Sequence, residues 1–374
     1  MRTSEQVLNR AEIERSGLGE RIRSLHSILL ARYPSIGRIA LALYDPDTDL
    51  LKTFASSNEG GPSLQRYEAR LSDVPSLVAL RDSGVARVVD DIDETYHAAN
   101  VHTGWLKSRK YRSSYTLPIF RGAELSAFLF FDSTQPAEFT PVVRGVLDQF
   151  ADIISQLYLL RLSAVHHLIG AVDIATGLAR IRDVETGRHL ERMAKYSRLI
   201  ARGVAERYGL NDEAVEYLHL FAPLHDIGKV GIPDAILLKP GRLDADEWRQ
   251  MQQHVTIGEQ LIDHIVADLG LQGDAAAIIM RDVVAGHHER GDGSGYPRGL
   301  KLADIPVAAR IVAVADMYDA LSSARPYKAP WDEARCADEL RNQAARGLID
   351  GPCVEALLGN EDARRQIRER FADE

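Results

Sequence analysis

The stretch Leu224-His225-Asp226-Ile227-Gly228-Lys229 decides how the C-terminal half of this 374-residue chain is read. Adjacent histidine and aspartate side chains deliver one nitrogen and one oxygen donor to nearly one point, and the two carboxylate oxygens can bridge two cations. The neighbours Phe221, Ala222, Leu224 and Ile227 are apolar, so the pair is expected to be partly buried. A buried charge requires a partner or a metal. Taken alone, the pair fits a satisfied core ion pair as well as it fits a metal site.

Other donors gather around it. Nine of the twelve histidines fall between His166 and His288. Glu185 and His189 are four residues apart, which on a helix places both on one face. His254 follows, then His287-His288-Glu289, then Asp316 at the end of the apolar run Ile311–Ala315. The candidate metal ligands are therefore Glu185, His189, His225, Asp226, His254, His287, His288 and Asp316. Imidazoles mixed with carboxylates suit iron, manganese, zinc or nickel and disfavour magnesium or calcium, which prefer all-oxygen shells. So many donors exceed the needs of one ion and, with bridging carboxylates, serve two or three. Two metals roughly 3.5–4 Å apart clamp a phosphoryl group and generate hydroxide near neutral pH.

Composition sets the bounds. Lys+Arg 45 against Asp+Glu 54 gives a net charge of −9. That argues against non-specific binding to nucleic acid or to an anionic membrane surface. An anionic substrate must then be held by local cations or metals. Cys336 and Cys353 are the only cysteines, so neither a disulfide framework nor a thiolate zinc site is expected, and a reducing cytoplasm is the natural setting. No long apolar run or secretory leader is evident, and the chain reads as soluble, with no membrane partner.

Length alone predicts two domains. The pattern predicts an α+β multidomain chain: residues 1–160 as a small antiparallel sheet with flanking helices, and residues 161–374 as an all-helical domain. A helix is expected over 4–32, strands over 38–44 and 50–55, a short helix over 74–83, then strands over 86–90, 114–120 and 125–132. From Thr140 the apolar spacing turns helical through Val143, Val146, Leu147, Phe150, Ile153, Ile154, Leu157 and Leu160. Such a long apolar helix connects domains and forms dimer seams. His97 and His102 read as exposed loop histidines rather than as a metal site.

Residues 165–350 resemble the HD-GYP family of cyclic di-nucleotide phosphodiesterases. The match rests on His225-Asp226-Ile227-Gly228-Lys229-Val230-Gly231-Ile232-Pro233, on His287-His288-Glu289 through Asp292-Gly293-Ser294-Gly295-Tyr296-Pro297, and on Ala315-Asp316 through Arg325-Pro326-Tyr327-Lys328. The resemblance implies a helical HD domain that hydrolyses cyclic di-GMP to linear pGpG, with GMP as a further product. It implies that Asp226 bridges metals and that the other seven positions ligate them. Glu185 favours a trinuclear over a dinuclear centre, with iron or manganese ahead of nickel, zinc or cobalt. Lys229 contacts phosphate by the same resemblance and is placed to protonate the leaving oxygen, so Asp226 and Lys229 are the expected catalytic residues. Arg325 and Lys328 form a second phosphate clamp, and Asp183 is a candidate relay group. Gly295 belongs to a glycine-rich loop, Gly291–Gly299, that lets backbone approach a ligand or a partner; in relatives this loop meets diguanylate cyclases.

The N-terminal half resembles a GAF domain through Ser114-Tyr115-Thr116-Leu117-Pro118-Ile119-Phe120 and Phe128-Leu129-Phe130-Phe131-Asp132. That implies a sensory module and a homodimer through this domain and the connecting helix. Two readings compete with the leading one. The first is a hydrolase of another cyclic dinucleotide. The second is a protein that senses cyclic di-GMP without turnover and signals through partners.

Overall fold

The computed structural model describes residues 17–60, 64–96, 101–180, 187–323 and 330–372. Side chains of 164, 166–168 and 171–180 are not described. The chain divides into two compact units, Met1–Ala164 and Val165–Glu374.

The N-terminal unit runs α1 (Leu18–Arg32), β1 (Arg38–Asp45), β2 (Leu50–Asn58), β3 (Glu68–Arg70), α2 (Pro75–Ser83), β4 (Arg87–Val89), α3 (Ile92–Thr95), α4 (Val101–Ser108), β5 (Ser113–Arg121) and β6 (Glu124–Ser133). Helix α5 spans Pro141–Arg180. The strands form one antiparallel sheet in the order β3-β2-β1-β6-β5-β4. This is the antiparallel sheet with flanking helices that the GAF resemblance implies. Apolar residues alternate along the central strands, so the sheet buries two faces. One carries Ala40, Phe128 and Phe130 against Leu77 and Leu80 of α2. On the other, Tyr115 donates to Asp148 of α5 at 2.7 Å.

Two expectations change here. The helix expected over 4–32 is described from Leu18 onward; residues 1–16 lie outside the described residues. His102 is not an exposed loop histidine. It sits on α4, half-buried, with its ring packed between Tyr67 and Phe130 at 6.0 and 5.9 Å. His97 lies outside the described residues.

The C-terminal unit is helix and loop throughout the described residues. It comprises α6 (Gly187–Tyr208), α7 (Asp212–Phe221), 3-10 turns at Ala222–Leu224 and Ile227–Gly231, α8 (Asp234–Leu237) and α9 (Ala245–Asp268). After these come α10 (Ala275–Gly286), α11 (Val307–Ser322), α12 (Glu333–Ala345), α13 (Gly351–Leu358) and α14 (Glu361–Arg370). Its core gathers Met193, Tyr196, Ile200 and Val204 of α6 with Val312, Val314 and Tyr318 of α11. Tyr196 and Tyr318 meet edge to face at 5.0 Å. Helix α9 starts on a capping box: Asp244 accepts from the Asp246 and Glu247 amides, and Glu247 returns a bond to the Asp244 amide at 2.8 Å.

One contact seats α9 against the His225-Asp226 turn. A β-carbon built on Gly228 would lie 1.8 Å from the His254 carbonyl oxygen and 2.5 Å from the Gly258 nitrogen. Both obstacles are backbone, so no side chain can move aside. Gly228→Ala is expected to destabilise the fold by about 1–3 kcal/mol or more. Gly145→Ala, where nothing lies within 4 Å on α5, is expected to stabilise by up to about 1 kcal/mol. Urea denaturation of the two variants checks the contrast; equal effects would refute the close approach.

Candidate metal centre

The described donors come from five places in the C-terminal unit. His189 lies on α6, His225 and Asp226 on the turn between the two 3-10 segments, His254 on α9, His287 and His288 just past α10, and Asp316 on α11. The donor atoms of Asp226, His254, His287 and His288 all lie within 4.8 Å of one another. Those of His189, His225 and Asp316 do likewise. Seven of the eight positions singled out from sequence therefore form two adjoining clusters. Glu185 lies outside the described residues, as do Asp183, Arg325 and Lys328.

Hydrogen bonds fix how the rings face. His225 Nδ1 donates to the Ala222 carbonyl at 2.9 Å and His254 Nδ1 to that of Met251 at 2.8 Å. His287 Nδ1 lies 3.1 Å from the Val284 carbonyl oxygen. A carbonyl can only accept, so Nδ1 carries the proton, and a neutral ring then presents its lone pair at Nε2. Those Nε2 atoms converge on Asp226: His225 at 3.2 Å from Oδ2, His254 at 3.1 Å and His287 at 3.7 Å from Oδ1. Nitrogen lone pairs facing a carboxylate repel it unless a cation lies between.

The burial pattern makes the same point. Nε2 of His189, His254 and His287, and Oδ1 of Asp226, are buried with no hydrogen-bond partner among the described residues. Such orphans cost about 1–3 kcal/mol each. Divalent cations, one at each cluster, would satisfy them, so this donor set fits the metal centre that an HD domain implies.

Electrostatics keep the donors in ligating form. Burial alone would raise the Asp226 carboxyl, but the Lys229 ammonium beside it holds it well below the usual carboxylate range. Burial, with His287 beside it, drives His288 down to about 2, so the ring is neutral. Burial also lowers His287. Lys229 Nζ stands 3.0 Å from Asp226 Oδ2.

Sequence reasoning missed three supporting residues. Asp319 is fully buried and accepts from His189 Nδ1 at 2.7 Å and from Arg192 Nε at 2.5 Å, which orients the His189 ring. Arg192 also donates to the Phe371 carbonyl at 2.7 Å. The signal was the three-residue step from His189 to Arg192 and from Asp316 to Asp319, one helical face each. Glu289 is buried and accepts from the Arg298 and Leu300 amides at 2.7 and 2.8 Å, folding the glycine-rich loop over itself. Within that loop a β-carbon on Gly295 would lie 2.2 Å from the Arg290 nitrogen, which places Gly295 in tight backbone packing. Tyr296 lays its ring on His288, with centroids 4.7 Å apart.

Arg298 also bonds Glu259 of α9. On α10, Asp282 is raised by burial to about 6, against the opposing pull of Arg281 and Arg298. An acid whose folded pKa is raised loses folding stability as pH climbs from its unfolded value through its folded one. Asp282→Asn should therefore stabilise the protein at about pH 8, on the order of 1 kcal/mol once solvent screening is discounted, and leave it unchanged at about pH 4. Thermal melts at the two pH values test this; a variant less stable at the higher pH contradicts it.

Residues 184–352 match the family model described as HD domain. The chain is 46% identical to the cyclic di-GMP phosphodiesterase response regulator RpfG of Xanthomonas campestris pv. campestris, over 51% of this chain and 47% of that protein. It is 41% identical to a cyclic di-GMP phosphodiesterase of Thermotoga maritima, over 55% and 53%. It is 40% identical to the 3'3'-cGAMP-specific phosphodiesterase 2 of Vibrio cholerae, over 56% and 36%. The chain thus spans about half the length, or less, of these curated relatives. Among solved structures it is similar to the phycocyanobilin-bound GAF domain from a cyanobacterial phytochrome, at 18% identity and TM-score 0.31, over 40% of this chain and 94% of that one.

Proposed function

We propose, from the match of residues 184–352 to the HD-domain family model, that the chain is a metal-dependent phosphodiesterase that hydrolyses cyclic di-GMP to linear pGpG, with GMP as the further product. One observation carries this reading: seven donors gather in two adjoining clusters, with the unpartnered Nε2 atoms of His254 and His287 turned toward the Asp226 carboxylate. The proposed ligands are Glu185, His189, His225, Asp226, His254, His287, His288 and Asp316, with Asp226 bridging. Iron or manganese is the proposed metal, in a trinuclear centre if Glu185 joins. When bound, the metals supply an activated water and neutralise phosphoryl charge.

The chain's own groups do the rest. Asp226 stays ionised under the field of Lys229. Lys229 sits beside it, where its ammonium can hold a phosphate oxygen and donate a proton to the leaving oxygen. Arg325 and Lys328 are proposed as the second phosphate clamp, and Gly295 as a backbone contact to substrate. The exposed tip of the glycine-rich loop, Pro297–Gly299, is the proposed meeting point for a diguanylate cyclase.

A relative named as cGAMP-specific at 40% identity favours a second substrate, the mixed cyclic dinucleotide. Metal-loaded protein is assayed against both by chromatography of the products. Turnover of cyclic di-GMP is expected, and Asp226→Ala should abolish it and strip the metal. Activity surviving in that variant would disprove the bridging role.

We also propose a homodimer along α5. Val142, Ile153 and Leu160 are 76%, 47% and 70% exposed, and their 11- and 7-residue steps keep them on one helical face. Sedimentation should find a dimer that Leu160→Glu shifts toward monomer; a monomeric parent chain would end this proposal. No described helix is long and apolar enough to cross a membrane. Cys336 and Cys353 are buried and form no disulfide, which supports a cytoplasmic location.

A further inference from the structure

The N-terminal unit holds a second set of unpartnered polar atoms, which the hydrolase reading leaves unused. Strand pairing defines where they stand. Arg87 of β4 lies opposite Thr116 of β5, and Thr116 opposite Phe130 of β6. In the next row on the same face, Asp132 of β6 lies opposite Ser114 of β5 on one side and Arg38 of β1 on the other. Directly paired residues hold their β-carbons roughly 4.5–5.5 Å apart and diagonal ones about 7–8 Å, so Arg87, Thr116 and Asp132 all fall within reach of one small molecule.

This is the face that α2 and α4 cover. Thr116 and Asp132 are both 0% exposed. Asp132 Oδ2 accepts from Arg38, whose guanidinium lies 5.0 Å from the Trp105 ring of α4. The opposite oxygen, Asp132 Oδ1, has no hydrogen-bond partner among the described residues. Neither have Thr116 Oγ1, nor Nε and Nη1 of Arg87, though all are buried. His102 lies among them, within the fields of Arg38, Asp132 and Arg87; burial first, and then Arg38, hold it down to about 4. It is neutral and adds no charge.

The balance of these groups says what is missing. Arg38 and Asp132 neutralise one another, leaving the half-buried Arg87 guanidinium with its buried Nε and Nη1 unpaired among the described residues. Leaving a buried polar atom unpaired costs about 1–3 kcal/mol and a charge costs more, against a total stability of about 5–15 kcal/mol. An occupant that cancels these costs must offer a negative acceptor to Arg87 and a donor to Asp132 Oδ1.

We propose that this face binds a small organic anion carrying a hydroxyl group. Its carboxylate or phosphate accepts from Arg87, its hydroxyl donates to Asp132 Oδ1, and the Thr116 hydroxyl bonds either. The site lies in the unit that carries no candidate metal ligand, so it stands apart from the phosphodiesterase reading.

Titration calorimetry on the full chain tests it with four probes. Malate and glycerol 3-phosphate carry both features, one with each anion. Acetate lacks the hydroxyl and ethylene glycol lacks the charge. At least one of the first two is expected to bind more tightly than either control. Arg87→Met should weaken that binding by at least about tenfold and Thr116→Val by a smaller factor, as befits a charged and a neutral hydrogen bond. Asp226→Ala should leave it unchanged. Scanning calorimetry supplies an independent arm: a cradle built for a ligand is strained without it, so Arg87→Met should raise the melting temperature of the ligand-free chain. Failure of both anions to bind, binding that survives Arg87→Met, or binding lost in Asp226→Ala would overturn the proposal. A lowered melting temperature in Arg87→Met would do the same, since it would make Arg87 a structural support.

Discussion

The backbone of α9 passes so near Gly228 that no β-carbon fits between them, and the candidate centre depends on that contact. His225 and Asp226 reach one point because they are adjacent in the chain. His254 reaches it only if a whole helix is brought against the turn that carries them. Gly228 and Gly258 allow this, since each leaves room for the other's backbone. The outcome is His254 Nε2 standing 3.1 Å from Asp226 Oδ1. On the other side of the centre the approach is set by side chains: Tyr196 against Tyr318 seats α6 on α11, and with them His189 and Asp316.

Both units bury polar atoms that find no partner among the described residues, and the two sets ask for opposite charges. In the C-terminal unit, imidazole nitrogens and a carboxylate oxygen face one another, and only a cation reconciles them. In the N-terminal unit a guanidinium is left over after the Arg38–Asp132 pair is formed, and an anion reconciles it. On the two proposals above, each unit forgoes part of its folding stability to keep a site ready, the usual trade between stability and function.

How much of this was legible in the sequence varied with the length of the signal. Strands β1, β5 and β6 are central and carry eight to ten residues of alternating or apolar pattern, so their periodicity is plain. Strand β3 and helix α3 have three and four residues, too few for any period to register. His102 was misread for a related reason: a short helix beside polar residues looks like a loop, and only the tertiary packing of Tyr67 and Phe130 encloses its ring. The donor residues stood out because unusual types cluster around apolar runs. Asp319 did not, because a carboxylate three residues after another is ordinary on any helix, and its burial is visible only once α6 lies against α11.

The bond from Arg192 to the Phe371 carbonyl has a thermodynamic consequence. Asp319 grips both the His189 ring and the Arg192 guanidinium, and Arg192 in turn holds the end of α14. Coupling free energies are reciprocal. An ion held at His189 therefore tightens the last helix by whatever amount that helix tightens the ion. Amide hydrogen exchange at the end of α14 thus becomes a remote gauge of how firmly the centre is loaded.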